Sequence, residues 1–104
     1  MDGNDKNHPF LLRQKRGDQM LIYEREFRLL GKSDSVQWVK AVNRGTSDNG
    51  LWELEVKIQG EKEHAILVTS HNKPRQFPNL NFLQAFIHDT CPSISSIEVR
   101  IRQT

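Results

Sequence analysis

Apolar and polar residues alternate along most of the chain after residue 19, and turn-forming clusters divide this part into short segments. A two-residue period is typical of β-strands that bury one face. The clearest example lies in 52–59, where the apolar positions are Trp52, Leu54, Val56 and Ile58. The pattern predicts an antiparallel meander of four strands, which cover residues 20–30, 36–43, 52–59 and 64–70.

The pattern changes after residue 70, where Pro74 and Pro78 each remove a backbone donor and exclude a regular strand. In 79–89, apolar residues recur at three- and four-residue steps behind Asn79, a candidate N-cap, which predicts a helix. Residues 96–102 alternate again and predict a final strand. The predicted fold class is α+β in the order β-β-β-β-α-β, with the helix packed on one face of the sheet.

The first residues differ in composition from the rest of the chain. Residues 1–18 are rich in Asn, Asp, Lys, Arg and Gly, and 10–12 form their one apolar cluster. We interpret 1–18 as a flexible N-terminal arm and 19–104 as a single α+β domain. One helix shields only part of a five-stranded sheet, so we expect a second copy or a partner to cover the remainder, and predict a homodimer.

Composition limits the classes of function that remain. The chain has 104 residues, a formal net charge of +2 and one cysteine, Cys91. This length excludes a large cleft between two domains, and a lone cysteine excludes both an internal disulfide and a zinc finger. Apolar runs of four residues or fewer predict no membrane span. We expect a cytoplasmic protein that needs no cofactor and whose mild charge gives no strong field for coating DNA.

Candidate catalytic groups are few. The histidines are His8, His64, His71 and His88, and they lack the spacing of a metal site. Pairs of carboxylates share strand positions, Glu53 with Glu55 and Glu24 with Glu26, but charged residues on the solvent side of a strand are the ordinary case. We therefore predict that the chain is not an enzyme, and a small enzyme with a carboxylate or histidine site is the third alternative.

Cationic residues are the stronger candidates for binding. Lys73 and Arg75 flank Pro74 shortly before the predicted helix, a placement that suits a phosphate or an acidic partner group. Arg100 and Arg102 occupy the outer face of the last predicted strand. The predicted arm adds three more cations, namely Arg13, Lys15 and Arg16.

Aromatic residues on strands suggest a second possibility, because exposed rings on a sheet serve as stacking platforms for single-stranded nucleic acid. The candidates are Tyr23, Phe27, Trp38 and Trp52. Their parity matches that of the aliphatic positions, which favours the core. Single-stranded nucleic-acid binding through the sheet face is therefore the alternative function.

The C-terminal third carries a family resemblance. The segments LVTS, HNKPRQFPNL and IEVRI, with a helix before the last, resemble small partition-associated accessory proteins of plasmids and integrative elements. The matching positions are Lys73, Pro74, Arg75 and Phe77, whereas 89–93 lacks the glycine-containing turn of that pattern. The resemblance implies a non-enzymatic accessory role in plasmid or mobile-element maintenance, beside a partition ATPase and a DNA-binding protein. We predict a binding module that docks a protein partner and/or DNA and takes no small-molecule substrate.

Overall fold

The computed structural model describes residues 15–46 and 48–101. Two helices and six strands make up this part of the chain. In order they are β1 (Lys15–Arg16), β2 (Gln19–Tyr23), α1 (Glu24–Lys32), β3 (Val36–Asn43), β4 (Trp52–Ile58), β5 (Ala65–Val68), α2 (Leu80–Thr90) and β6 (Glu98–Arg100).

The strands of the described residues form one mixed sheet in the order β1-β2-β5-β4-β3-β6. Strands β3, β4 and β5 are an antiparallel meander. Strand β2 is parallel to β5, and β6 is parallel to β3. Each helix lies in a crossover between two parallel strands that are not neighbours in the sheet: α1 joins β2 to β3, and α2 joins β5 to β6.

The predicted four-stranded antiparallel meander with one helix is therefore wrong. Its first strand, 20–30, ends at Tyr23, and helix α1 follows immediately. This segment also contains Phe27 and Leu30, three residues apart, and both are buried. A three-residue step places two side chains on one helix face, so the same residues fit either element until tertiary contacts decide.

Local interactions in α1 favour the helix. The Glu26 side chain accepts a hydrogen bond of 3.1 Å from the Tyr23 backbone N–H, which satisfies a donor just before the first turn. Glu24 and Arg28 form an ion pair of 3.1 Å across one turn. Two acidic residues in the first turn and Lys32 in the last turn also complement the helix dipole.

Other predicted elements are confirmed. Helix α2 begins where expected, and the Asn79 side chain accepts a hydrogen bond of 3.0 Å from the Phe82 backbone N–H. Strands β3 and β4 match the predicted 36–43 and 52–59 closely, and the last strand is shorter than predicted. The loop between β3 and β4 closes on Asn43, whose side-chain carbonyl accepts from the backbone N–H groups of Gly45 and Leu51.

Both helices pack on one face of the sheet, here called the helix face. The core between them contains Phe27 and Leu30 of α1, Leu83 and Ile87 of α2, and alternate residues of the strands. The opposite face of the sheet, the open face, carries the residues of the other parity, such as Trp38, Lys40, Glu53 and Glu55. Helix α1, which the sequence pattern did not predict, supplies part of the cover that we expected from a second copy or a partner.

The predicted arm lies mostly outside the described residues, since only 15–18 of it belong to them. Lys15 and Arg16 form β1, which pairs antiparallel with β2 at one edge of the sheet. In the described part of the chain, neither helix has the length and apolar character needed to cross a bilayer.

Candidate functional site

A groove of about 1000 Å³ lies beside the carboxyl ends of the parallel strands β2 and β5. Strand β2 leads into α1 and β5 leads into the loop 69–76, so the two following segments diverge and leave a crevice. We call it the β2–β5 groove. Its lining consists of Tyr23, Glu24, Arg25, Glu26, Leu29, Val68, Thr69, Ser70 and Arg75.

The loop that forms one wall of the groove is held by its own backbone. The Thr69 N–H donates to the Lys73 carbonyl at 2.7 Å, and the Asn72 N–H donates to the Thr69 carbonyl at 3.0 Å. The Arg75 N–H donates to the Leu67 carbonyl at 2.9 Å and returns the chain to β5. Asn72 adopts a φ of 64°, a left-handed conformation that Asn tolerates better than most residues. The loop is therefore preformed.

The predicted site residue Arg75 is engaged within the protein. Its Nη1 lies 2.7 Å from Glu24 Oε1, and its guanidinium carbon lies 5.1 Å from the ring centres of both Phe77 and Phe86. Arg28 Nη2 lies 3.1 Å from the other oxygen of Glu24. Arg75 thus ties the loop to α1 and covers two core rings, so it positions the groove wall.

Electrostatics at this contact favour the charged carboxylate. Partial burial acts to raise the pKa of Glu24, but hydrogen bonds from Arg75 and Arg28, together with their charges, hold it below its ordinary value. Arg28 also contacts Asp89 at 3.1 Å, and its hydrogen bonds to the carboxylates of Glu24 and Asp89 raise the Arg28 pKa. The carboxylate of Glu24 is therefore already compensated where it lines the groove.

Two exposed cations beside the groove have no ion pair within the described residues. Arg25 lies in the first turn of α1 and lines the groove. The predicted site residue Lys73 lies on the loop and lines a neighbouring depression of about 540 Å³ with Thr69, His71, Pro74 and Gln76. Thr69 lines both the β2–β5 groove and this depression. Arg75 lines the groove, whereas Lys73 lines the depression.

Sequence reasoning missed Arg25 and Leu29, because it placed both residues in a strand. In α1 they lie four residues apart, a spacing that puts two side chains on the same face of a helix. Both line the β2–β5 groove, and Leu29 is 49% exposed. The signal that would have found them is the three-residue step between the buried Phe27 and Leu30.

The open face carries a network of ion pairs. Glu53 and Glu55 are buried, although their strand parity placed them on the solvent side. Arg44 contacts Glu53 at 3.2 Å and Glu55 at 3.8 Å, while Lys40 Nζ and His64 Nε2 lie 4.0 Å and 3.5 Å from Glu55. The neighbouring side chains cover both carboxylates, and Arg44 and Lys40 compensate their charge, which is a structural arrangement.

The aromatic residues offer no free stacking platform on the described part of this face. The Trp38 ring has Lys40 Nζ 5.3 Å from its centre and the His64 ring 5.9 Å away. Phe27 is fully buried, and Trp52 packs against the core. In the sheet register, Lys57 of β4 lies opposite Trp38.

Nucleophilic and metal-binding groups are scattered. Within 15–46 and 48–101, no group of three or more His, Cys, Asp or Glu is placed to hold a metal ion. Cys91 is buried, and burial raises the pKa of its thiol, which keeps it protonated and inert. His8 lies outside the described residues.

The remaining predicted cations are spread over distant positions. Arg100 is exposed on β6, and Lys15 is exposed on β1 at the other edge of the sheet. The backbone of Arg16 is part of β1. Arg13 and Arg102 lie outside the described residues. Among the described residues, the predicted site cations Lys15, Lys73 and Arg100 therefore do not lie together on one surface.

Comparisons of this chain with models of known protein families, with curated protein sequences and with solved structures found no match.

Proposed function

We propose that this protein is a non-enzymatic binding module that holds an acidic, partly apolar segment of a protein partner in the β2–β5 groove. The proposal rests on one observation. A single preformed groove contains both an exposed apolar side chain and an exposed arginine that has no ion pair within the described residues. Leu29 supplies the first and Arg25 the second.

Apolar contact supplies the affinity in this proposal. Leu29 is 49% exposed on α1, and the groove also contains the half-buried Tyr23, while Val68, 2% exposed, forms part of its floor. Burying an exposed leucine against a partner removes apolar surface from water, which stabilises a complex by roughly 25 cal/mol per Å². The hydroxyls of Thr69 and Ser70 at the rim provide polar contacts that orient a bound segment.

Charge supplies the selectivity. The two carboxylates in the groove already have partners: Glu24 binds Arg75 and Arg28, and Glu26 accepts from the Tyr23 N–H. Arg25 is available at the groove, and Lys73 extends the cationic rim along the loop. An acidic side chain of a partner therefore meets cations there that no described carboxylate neutralises.

The loop's internal hydrogen bonds also favour binding. Because Thr69, Lys73 and Arg75 fix the loop before a partner arrives, little conformational entropy is lost on docking. A preformed wall of this kind suits a binding module.

The sequence resemblance to partition-associated accessory proteins suggests the setting. We expect the partner to be one of the partition proteins of a plasmid or mobile element, in the cytoplasm, where such a module docks the ATPase or the DNA-binding protein. The scattered positions of Lys15, Lys73 and Arg100 make DNA the less favoured partner.

Selection from a random peptide library tests the proposal and requires no identified partner. A phage-displayed library of peptides is panned on the wild-type protein, and the enriched peptides are titrated by fluorescence anisotropy. We expect peptides that combine acidic and apolar residues, whose affinity falls about tenfold or more in Arg25→Glu and in Leu29→Asp. Lys62→Glu, an exposed change of equal charge in the β4–β5 turn, is the matched control and retains binding.

Labelled single- and double-stranded DNA are titrated in parallel at two salt concentrations. Enriched peptides that bind Arg25→Glu and Leu29→Asp as tightly as wild type contradict the groove. A different result would identify DNA as the ligand. In that case no peptide is enriched, and the protein binds DNA in a salt-sensitive manner that both Arg25→Glu and Lys73→Glu abolish.

A further inference from the structure

We propose that two copies of this chain associate through the β6 edge, by antiparallel pairing of β6 with β6 of the second copy about a twofold axis at Val99. The proposal concerns a surface separate from the β2–β5 groove and extends the sheet across the pair.

Strand β6 presents an open edge within the described residues. It pairs with β3 on one side, and on its other side no strand of 15–46 or 48–101 adjoins it. Glu98, Val99 and Arg100 are all exposed, and Ile101 is 68% exposed. An edge with unpaired backbone groups and exposed β-branched residues is a template for another strand.

The sequence of β6 is complementary to itself in this arrangement. Pairing centred on Val99 places Glu98 opposite Arg100 of the second copy, and Arg100 opposite Glu98 of the second copy. Both charges lie on the open face, because Glu98 and Arg100 are in register with Lys40 and Val42 of β3. Two opposite-charge cross-strand pairs form, each of a kind that stabilises a sheet.

The helix face of the edge is apolar in the same register. Val99 meets Val99 of the second copy, and Ile97 meets Ile101 of the second copy. A hollow of about 540 Å³ between α2 and the chain before β6 borders these residues, and Leu80, Leu83 and Ile87 line it. Leu80 is 37% exposed and Val99 is 43% exposed, so pairing removes apolar surface from water on this face.

The opposite edge of the sheet lacks this complementarity. Strand β1 has two residues, Lys15 and Arg16, and both are basic. Like charges repel across an antiparallel pair, and short basic edge strands resist association. The asymmetry between the two edges is the reason for assigning self-association to β6.

Charge reversal tests the pairing, with molar mass measured by sedimentation and light scattering. Wild type is expected at twice the 12.1 kDa of one chain. Arg100→Glu and Glu98→Arg each place like charges opposite one another and weaken the dimer by about tenfold to a hundredfold. The double variant Glu98→Arg/Arg100→Glu restores opposite charges and dimerises, and an equimolar mixture of the two single variants forms a heterodimer.

Controls separate pairing from folding. Lys62→Glu, far from β6, keeps the dimer, and circular dichroism with thermal melting verifies that each variant folds. Glu98 is 65% exposed but contacts Lys40, which is 14% exposed, at 3.8 Å, so Glu98→Arg places a cation beside a largely buried lysine and is expected to lower stability more than Arg100→Glu does. The dimer affinity of Arg100→Glu is therefore the cleaner readout of pairing. A wild-type monomer at every concentration overturns the proposal. So does a dimer whose mass the single reversals leave unchanged, because another surface, or the 1–14 segment, then makes the contact.

Discussion

Arg75 shows how a residue chosen for its charge is used for structure. Its guanidinium bridges three elements: the loop that contains it, Glu24 of α1, and the ring of Phe86 in α2. Lys73, two residues earlier, is exposed and has no ion pair in the described part of the chain. The local sequence gives little reason to expect different roles for Lys73 and Arg75, because both are cations beside Pro74. Phe77 and Glu24 decide the difference, and Glu24 is distant in sequence.

Replacing Arg75 with Ala is expected to lower the free energy of unfolding by about 1–2 kcal/mol, because a hydrogen-bonded ion pair and two cation–π contacts are lost at a partly exposed site. Arg75→Lys keeps the charge but not the planar stacking, and is expected to recover part of the loss. Urea unfolding measures both variants. An Arg75→Ala protein as stable as wild type would contradict this role.

The same contact predicts a pH dependence. The pKa of Glu24 in the folded protein lies below its ordinary value of 4.5, so the ion pairs stabilise the fold above that value. This stabilisation is lost as the pH falls through the lowered pKa, because the folded state must then take up a proton. Arg75→Ala is expected to lose less stability than wild type over this acid range, as measured by urea unfolding at a series of pH values.

At the scale of elements, the fold depends on α1, which is also the element that the sequence pattern misassigned. Residues 20–32 satisfy a strand period and a helix period together, and the choice between them rests on burial against α2 and the sheet. Elements with a single period, such as β4 with its strict alternation and α2 with its Asn79 cap, were predictable from sequence. The parallel pairings were not, because their partners are distant in sequence.

The contact between the helices predicts the effect of one substitution. A Cβ added to Gly31 of α1 lies 2.4 Å from the Thr90 carbonyl oxygen and 3.0 Å from Cys91 Cα, both backbone atoms that resist displacement. Gly31→Ala is therefore expected to destabilise the protein by about 1–3 kcal/mol, although Ala favours a helix over Gly by roughly 1 kcal/mol.

Thermal melting and urea unfolding measure that effect. Lys32→Ala, at the exposed neighbouring position of α1, is the matched control and is expected to change stability by less than about 0.5 kcal/mol. If Gly31→Ala were as stable as this control, α1 and α2 would not approach as closely as described.

At the scale of the whole molecule, the two proposed interaction surfaces lie on different halves of the sheet. The β2–β5 groove adjoins β5, and the β6 edge lies three strands away, a separation of roughly 14 Å at the usual strand spacing. A β6-paired dimer therefore presents two grooves at once. Two linked sites raise the apparent affinity for a partner that carries two binding segments.

The candidate site was only partly predictable from the sequence. Lys73 and Arg75 were predicted from their placement around Pro74, and both lie on the loop beside the groove, whereas Arg100, predicted from strand parity, lies on β6 away from it. Arg25 and Leu29, which carry the proposed function, were not found, because their importance follows from α1 being a helix. The burial of Glu53 and Glu55 also depends on Arg44, Lys40 and His64, which meet them only in the folded sheet.

The most direct test of the central claim is an NMR titration of isotope-labelled protein with the tightest peptide from the library selection. We expect amide shifts to change along the β2–β5 groove, at residues 23–29 and 68–75, and to leave the open face and β6 unaffected. The same titration of Leu29→Asp is expected to show no such changes. Shift changes that centre on the open face or on β6 would contradict the proposed docking site.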